Sequence, residues 1–282
     1  MGNNCCFGRY EHYKSKYLRM ESDVIDTLAS YKPISDILGL DEDDECHVYK
    51  FNKAFQNGDI AKLVELCYST TPIQKLENKL HTWAENPRTI GALSATQLSV
   101  YASKENEPEF KNDILAANGI EALADLLKSE DDDRVHAAVI TFSFLSSGNA
   151  RCCEEMYEQD VFPYLIKGMK SSLDPFRAAC AQTCRNIYYL DIKYRKEFMR
   201  LGGLVALVSL LNLSDDSGEM YLTQLEAIYH LEDFCMDGIE EIPELVEYVK
   251  ASNALSKLQS LEKSKINELS EAAKSLAARL ID

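Results

Sequence analysis

Three stretches of this chain fall into register with one another at a spacing of about 42 residues. Ile120, Leu123, Leu126 and Leu127 stand where Phe162, Leu165, Gly168 and Met169 stand one period later, and Leu204, Leu207, Leu210 and Leu211 one period after that. The apolar positions run i, i+3, i+6, i+7, which is one face of a helix. A second apolar helix follows in each stretch. Ala137, Ala138, Thr141, Phe142 and Leu145 match Ala179, Cys180, Thr183, Cys184 and Ile187. In the third stretch Ala227, Ile228 and Leu231 take these places after two extra residues, absorbed by the polar loop 214–218, where added length costs little. A shorter helix precedes each pair, over Phe110 to Ala117, Cys152 to Gln159 and Tyr194 to Leu201. A unit of this size cannot bury its own apolar face, so stacking against neighbours must do it.

Three helices in about 42 residues is the armadillo period; HEAT units share the length but have two. The array extends in both directions with lower fidelity. Upstream, Ile73, Leu76 and Leu80 read as a second-helix face, Arg88 to Ala102 as a third helix, and Val48 to Tyr68 as a partial cap. Downstream, Leu255, Leu258 and Leu261 precede an amphipathic helix through Ile266, Leu269, Ala272, Leu276 and Leu280. The expected fold is all-α, a right-handed superhelical armadillo solenoid of roughly five repeats over residues 36–282, drifting at its ends where an outer face must be polar. Residues 1–35 read as a flexible tail carrying one short helix over 22–29, and the acidic run 41–45 as a solvated loop.

Chemistry is harder to place on such a chain. No Gly-rich phosphate loop opens a helix, no G-x-S-x-G occurs, and the five histidines form no H-x-x-x-H pair. No C-x-x-C occurs among the nine cysteines, an odd number that suggests no disulfide framework. The chain therefore reads as no enzyme, with no catalytic residues, no metal, no cofactor and no small-molecule substrate. A net charge of −16 with dispersed Lys and Arg also argues against nucleic acid.

What remains is a surface. The third helices of such units line the inner groove, and equivalent positions form rungs along it. Phe144, Asn186 and His230 make one rung; Ser143, Arg185 and Tyr229 make the next; Ser147, Tyr189 and Asp233 lie a turn further on. Phe144, Arg185, Asn186, Tyr189, Tyr229, His230 and Asp233 are thus the candidate protein-binding residues. Asn occupies its rung once only, which speaks against a repeated clamp on a peptide backbone. It favours an individually shaped face.

The front of the chain supplies the other functional feature. Met1-Gly2-Asn3-Asn4-Cys5-Cys6 offers Gly2 for N-myristoylation once the Met is removed, with Cys6 standing where Ser or Thr is usual. One myristoyl chain holds a membrane only weakly, with a constant on the order of 10⁴ M⁻¹. Arg9, Lys14, Lys16 and Arg19 are opposed by Glu11 and Glu21, so charge is a poor second signal. S-palmitoylation of Cys5 and Cys6 is the expected one. No apolar run is long enough to span a bilayer.

The front hexapeptide, the short basic tail and the compact array together resemble the armadillo repeats-only family of apicomplexan parasites, over essentially the whole chain. The resemblance implies acylation at Gly2, Cys5 and Cys6. It implies a place on the cytosolic face of the rhoptry membrane, where such proteins tether or position the organelle apically. It also implies partners: a myosin motor, an adenylate cyclase and a dedicated interacting protein. The competing expectation is a soluble or differently anchored armadillo receptor for linear peptide motifs, at a vacuole-like or plasma membrane in the anchored form.

Overall fold

The structure, a computed structural model, describes residues 47–72, 89–104, 106–212 and 221–281. The helices fall into five consecutive triplets. The first is α1 (His47–Asn57), α2 (Ile60–Leu66) and α3 (Ile90–Ala102). The second is α4 (Glu109–Ala116), α5 (Gly119–Leu127) and α6 (Asp132–Ser146). The third is α7 (Ala150–Glu158), α8 (Phe162–Gly168) and α9 (Asp174–Tyr188). The fourth is α10 (Ile192–Arg200), α11 (Gly203–Ser209), prolonged by a 3₁₀ turn over Leu210–Asn212, and α12 (Tyr221–Cys235). The fifth is α13 (Pro243–Ala251), α14 (Ala254–Leu261) and α15 (Asn267–Ile281). This is the armadillo solenoid that the periodicity predicts.

One backbone feature marks all five units. The residue between the first and second helix is left-handed every time: Gly58, Asn118, Asp160, Gly202 and Asn253, with φ between +58° and +83°. Gly, Asn and Asp are the residues that tolerate this region, and a left-handed residue is what stops one helix and turns the chain into the next. The marker settles the first unit. Its second helix is α2, which follows Gly58, so His47–Leu66 is two full helices rather than a partial cap. Ile73, Leu76 and Leu80 lie outside the described residues, as do the acidic run 41–45 and the helix expected over 22–29.

Side-chain caps mark the start of several other helices. Thr89 Oγ1 accepts from Ala92 N–H at the start of α3, and Asn149 Oδ1 from Cys152 N–H at the start of α7. Asp191 Oδ1 accepts from Lys193 N–H at the start of α10. Such side chains satisfy backbone donors that the first turn leaves open.

The third helices α3, α6, α9, α12 and α15 pack in sequence, each on the next. One apolar core runs through all five units. At α3 and α6 the approach is close because Ala92, Ala95 and Ala138 carry only methyl groups there, and Thr141 Oγ donates across to Ala95 O at 2.8 Å. Gly91 allows the neighbouring approach: a Cβ there would sit 2.5 Å from both Cys67 O and Ser69 O. Further along, Tyr188, Phe162, Phe198 and Phe234 form an aromatic cluster between the third and fourth units, with ring centroids 5.0–6.2 Å apart around Tyr188 and Phe198.

Among the described residues two short β features accompany the helices: an isolated antiparallel bridge between Pro72 and Thr89 and a hairpin. Met236–Asp237 and Glu240–Glu241 pair antiparallel as a small hairpin between α12 and α13. Arg279 of α15 pins it, with Nε donating to Glu241 at 3.0 Å and Nη1 to Glu232 of α12.

Candidate protein-binding groove

The rung residues are positioned by the third helices, and the structure puts them to different uses. Asn186, on α9, is buried, and its amide is engaged on both sides. Its Nδ2 donates to Ser146 Oγ on α6 at 3.0 Å, and its Oδ1 accepts from Gln182 Nε2 at 2.9 Å and Arg185 Nη1 at 3.3 Å. Gln182 continues the line. With its Nε2 given to Asn186, its Oε1 faces His230 Nε2 on α12 at 3.2 Å. An amide oxygen can only accept, so the proton sits on Nε2 of the histidine. A polar ladder thus joins α6, α9 and α12 across the rung: Ser146, Asn186, Gln182, His230. The Tyr188 hydroxyl adds a further tie by donating to His230 O at 2.8 Å.

His230 is 4% exposed, and its Nδ1 has no hydrogen-bond partner among the described residues. Burial, with the Arg185 guanidinium adding to it, pushes the imidazole down to about 3 from its ordinary 6.5. The unfolded chain therefore binds a proton here that the folded chain refuses. Stability is complete above pH 6.5 and is lost as pH falls from there toward 3, by about 1.4 kcal/mol for each pH unit. Urea melts at pH 7 and pH 5 should show this slope in the parent and a shallower one in His230→Gln. Equal slopes would mean that the ring is solvated.

Arg185 and Asp233 form the outer rung. Arg185 Nε and Nη2 both reach Asp233 Oδ2, at 2.8 and 2.7 Å, with about a fifth of each side chain exposed. The guanidinium also lies 4.6 Å from the ring centroid of Tyr189, a half-open aromatic at the C-terminal end of α9. Phe144 and Tyr229 are partly buried against the core. The open part of the groove is therefore Arg185, Tyr189, Asp233 and the edges of Phe144 and Tyr229. Asn186 and His230 face inward along the ladder. The two buried residues both stand on the rung of Phe144, and the open ones come mainly from the other two rungs.

Gly2, Cys5 and Cys6 lie outside the described residues. The cysteines within them are all buried: Cys67, Cys152, Cys153, Cys180, Cys184 and Cys235. Burial raises every one of these thiols, Cys152 to about 11 and Cys67, Cys153 and Cys235 to about 12. Cys180 and Cys184 are raised by burial as well. None is a thiolate near neutral pH, so none competes as a nucleophile for acyl transfer.

Among the described residues, no group of His, Cys, Asp and Glu could hold a metal ion, and no helix is long and apolar enough to cross a membrane.

No family model matches the chain. No curated protein matches it either. Solved structures do. The armadillo repeats only protein from Plasmodium falciparum is 53% identical, over 83% of this chain and 97% of that one, with a TM-score of 0.79. A designed armadillo repeat protein in complex with the peptide (KR)4 is 17% identical over 82% of this chain and 85% of its own, with a TM-score of 0.63. A computationally designed armadillo protein for modular peptide recognition is 16% identical over the same shares, with a TM-score of 0.64. The two designs share the fold alone.

Proposed function

The chain belongs to the armadillo repeats-only family, and we propose on that basis that this protein-interaction scaffold is a lipid-anchored adaptor on the cytosolic face of the rhoptry membrane. The anchor is N-myristoyl at Gly2 with S-palmitoyl at Cys5 and Cys6. The array recruits a myosin motor, an adenylate cyclase and a dedicated interacting protein, and so positions the organelle at the apical end of the cell. The observation that carries this reading is the front end itself: an acceptor glycine and an adjacent cysteine pair joined to an array of that family.

The mechanism follows from acyl-chain energetics. Myristoylation permits brief visits to many membranes, since one chain binds only marginally. A membrane-bound acyltransferase then modifies Cys5 and Cys6, and each buried methylene adds roughly 0.8 kcal/mol. The protein stays where that enzyme resides, so its address is kinetic. The burial of the thiols among the described residues favours selectivity for the front pair. The open residues Arg185, Tyr189 and Asp233 are of kinds common at interface hot spots, Arg and Tyr above all.

The test is mass spectrometry of the N-terminal peptide from the native protein, together with proximity labelling from its C-terminal end. Acyl chains on Gly2, Cys5 and Cys6, and rhoptry and motor proteins among the labelled neighbours, are the expected result. An unmodified front end would end the proposal.

A further inference from the structure

We infer that Arg195 is an unfilled carboxylate-binding site, and that the segment it takes is an acidic stretch of a partner protein, laid across the C-terminal end of α9 beside Tyr189. Arg195 is only 3% exposed. Its Nε donates to Tyr188 O, the last carbonyl of α9, at 3.3 Å, and its Cζ lies 5.5 Å from the centre of the Tyr189 ring. Among the described residues it makes no other hydrogen bond and no ion pair. A guanidinium withdrawn this far from water normally comes with an anion, because an uncompensated charge is costly to bury.

Three carboxylates of α12 and its hairpin are paired with other arginines. Asp233 holds Arg185. Glu232 and Glu241 both hold Arg279. Arg195 is the guanidinium left over in a crowded ionic neighbourhood. The position is special to this unit: one period earlier Cys153 stands in its place and makes the same contact, Sγ to Ser146 O at 3.3 Å. A thiol suffices for that contact. The charge and the terminal nitrogens of Arg195 are therefore surplus to capping α9, and a planar fork with open donors suits a carboxylate. Tyr189, over a third exposed, gives the incoming chain an aromatic wall.

The protein's own acidic run, Asp41 to Glu45, cannot supply the anion. It reaches at most about 20 Å beyond α1 as extended chain. The fourth unit stands three helix spacings along the stack, each about 8–10 Å. The carboxylate is assigned to another molecule rather than to Glu21, Asp23, Asp26 or Asp36 further up the same chain, and failure of the full chain to bind an acidic peptide would overturn that. This inference deepens the adaptor reading by naming a partner chemistry, and it is independent of the anchor.

The experiment uses the full, unacylated chain. A fluorescein-labelled peptide of alternating Glu and Ser is titrated at physiological ionic strength, where the net charge of −16 is screened beyond about 8 Å, beside its Lys and Ser counterpart. The acidic peptide should bind and the basic one should not. Arg195→Gln, which keeps a donor for Tyr188 O, should weaken binding roughly tenfold or more, the share of one charged hydrogen bond. Equal affinity in parent and variant overturns the inference. So does Arg195-dependent binding to phosphatidylserine vesicles that exceeds binding to the peptide, which would give the guanidinium to a membrane. Should Arg195→Gln fail to fold, phenylglyoxal modification of the parent decides: the peptide must protect Arg195, and lack of protection is a refutation. Unmodified Cys5 and Cys6 in the native protein would sink the anchor and leave this result standing.

Discussion

Serine at both Cys5 and Cys6 is expected to move the protein from the membrane fraction to the cytosol without unfolding it. Gly2 would still be myristoylated, so membrane affinity falls to that of a single chain, on the order of 10⁴ M⁻¹. Two palmitoyl chains lost at roughly 0.8 kcal/mol per methylene amount to many orders of magnitude in residence. The net charge of −16 is repelled by an anionic surface, and no helix among the described residues can cross a bilayer. Fractionation, with circular dichroism on the soluble protein, reads both halves of the prediction. Each single substitution should give an intermediate distribution. A double variant that remains on the organelle would transfer the anchoring role to the array and its partners.

Phe198→Ala should be the most damaging change inside the array. Phe198 is fully buried on α10, and its ring lies 5.7 Å from that of Phe162, 5.0 Å from Tyr188 and 6.2 Å from Phe234. It also closes on the backbone of α11, where a Cβ on Gly203 would sit 2.3 Å from the ring. Truncation therefore opens a cavity shared by the third and fourth units. The expected loss is about 3–5 kcal/mol, a large part of the stability of an ordinary domain. In a solenoid each unit leans only on its neighbours, so the urea transition should broaden or split, with the first two units outlasting the rest. Val205→Ala, on a side chain 68% exposed, serves as a control and should change stability by less than about 0.5 kcal/mol. A Phe198→Ala protein as stable as that control would mean that the aromatic cluster does not hold these units together.

Much of the array is legible in the residues themselves. The helical faces at 120–127, 162–169 and 204–211 recur because each must bury one stripe against the same kind of neighbour. The left-handed positions are equally local: Gly58, Asn118, Asp160, Gly202 and Asn253 are residues that tolerate the conformation the turn requires. That signal was available, and it would have placed α2 and α13 correctly. Ile73, Leu76 and Leu80 carry the same apolar spacing, so spacing alone does not single out the second helix of the first unit.

The seven groove residues are where local reasoning stops. The period puts Asn186 and Tyr189 on rungs a turn apart, but it does not say which rung is buried. Whether Asn186 reaches Ser146, or His230 reaches Gln182, depends on how far each third helix slides and rotates past the next. That offset comes from side-chain volumes in the shared core, such as the alanines between α3 and α6 and the rings around Phe198. The same is true of Arg195, whose isolation exists only because Asp233, Glu232 and Glu241 turn to other arginines. The sequence by itself determined the three-helix unit and its repetition, since each is written within a few turns of chain. Only the tertiary structure decided which polar groups are consumed and which are left open, because hydrogen bonds and ion pairs between units depend on distances that no single helix encodes.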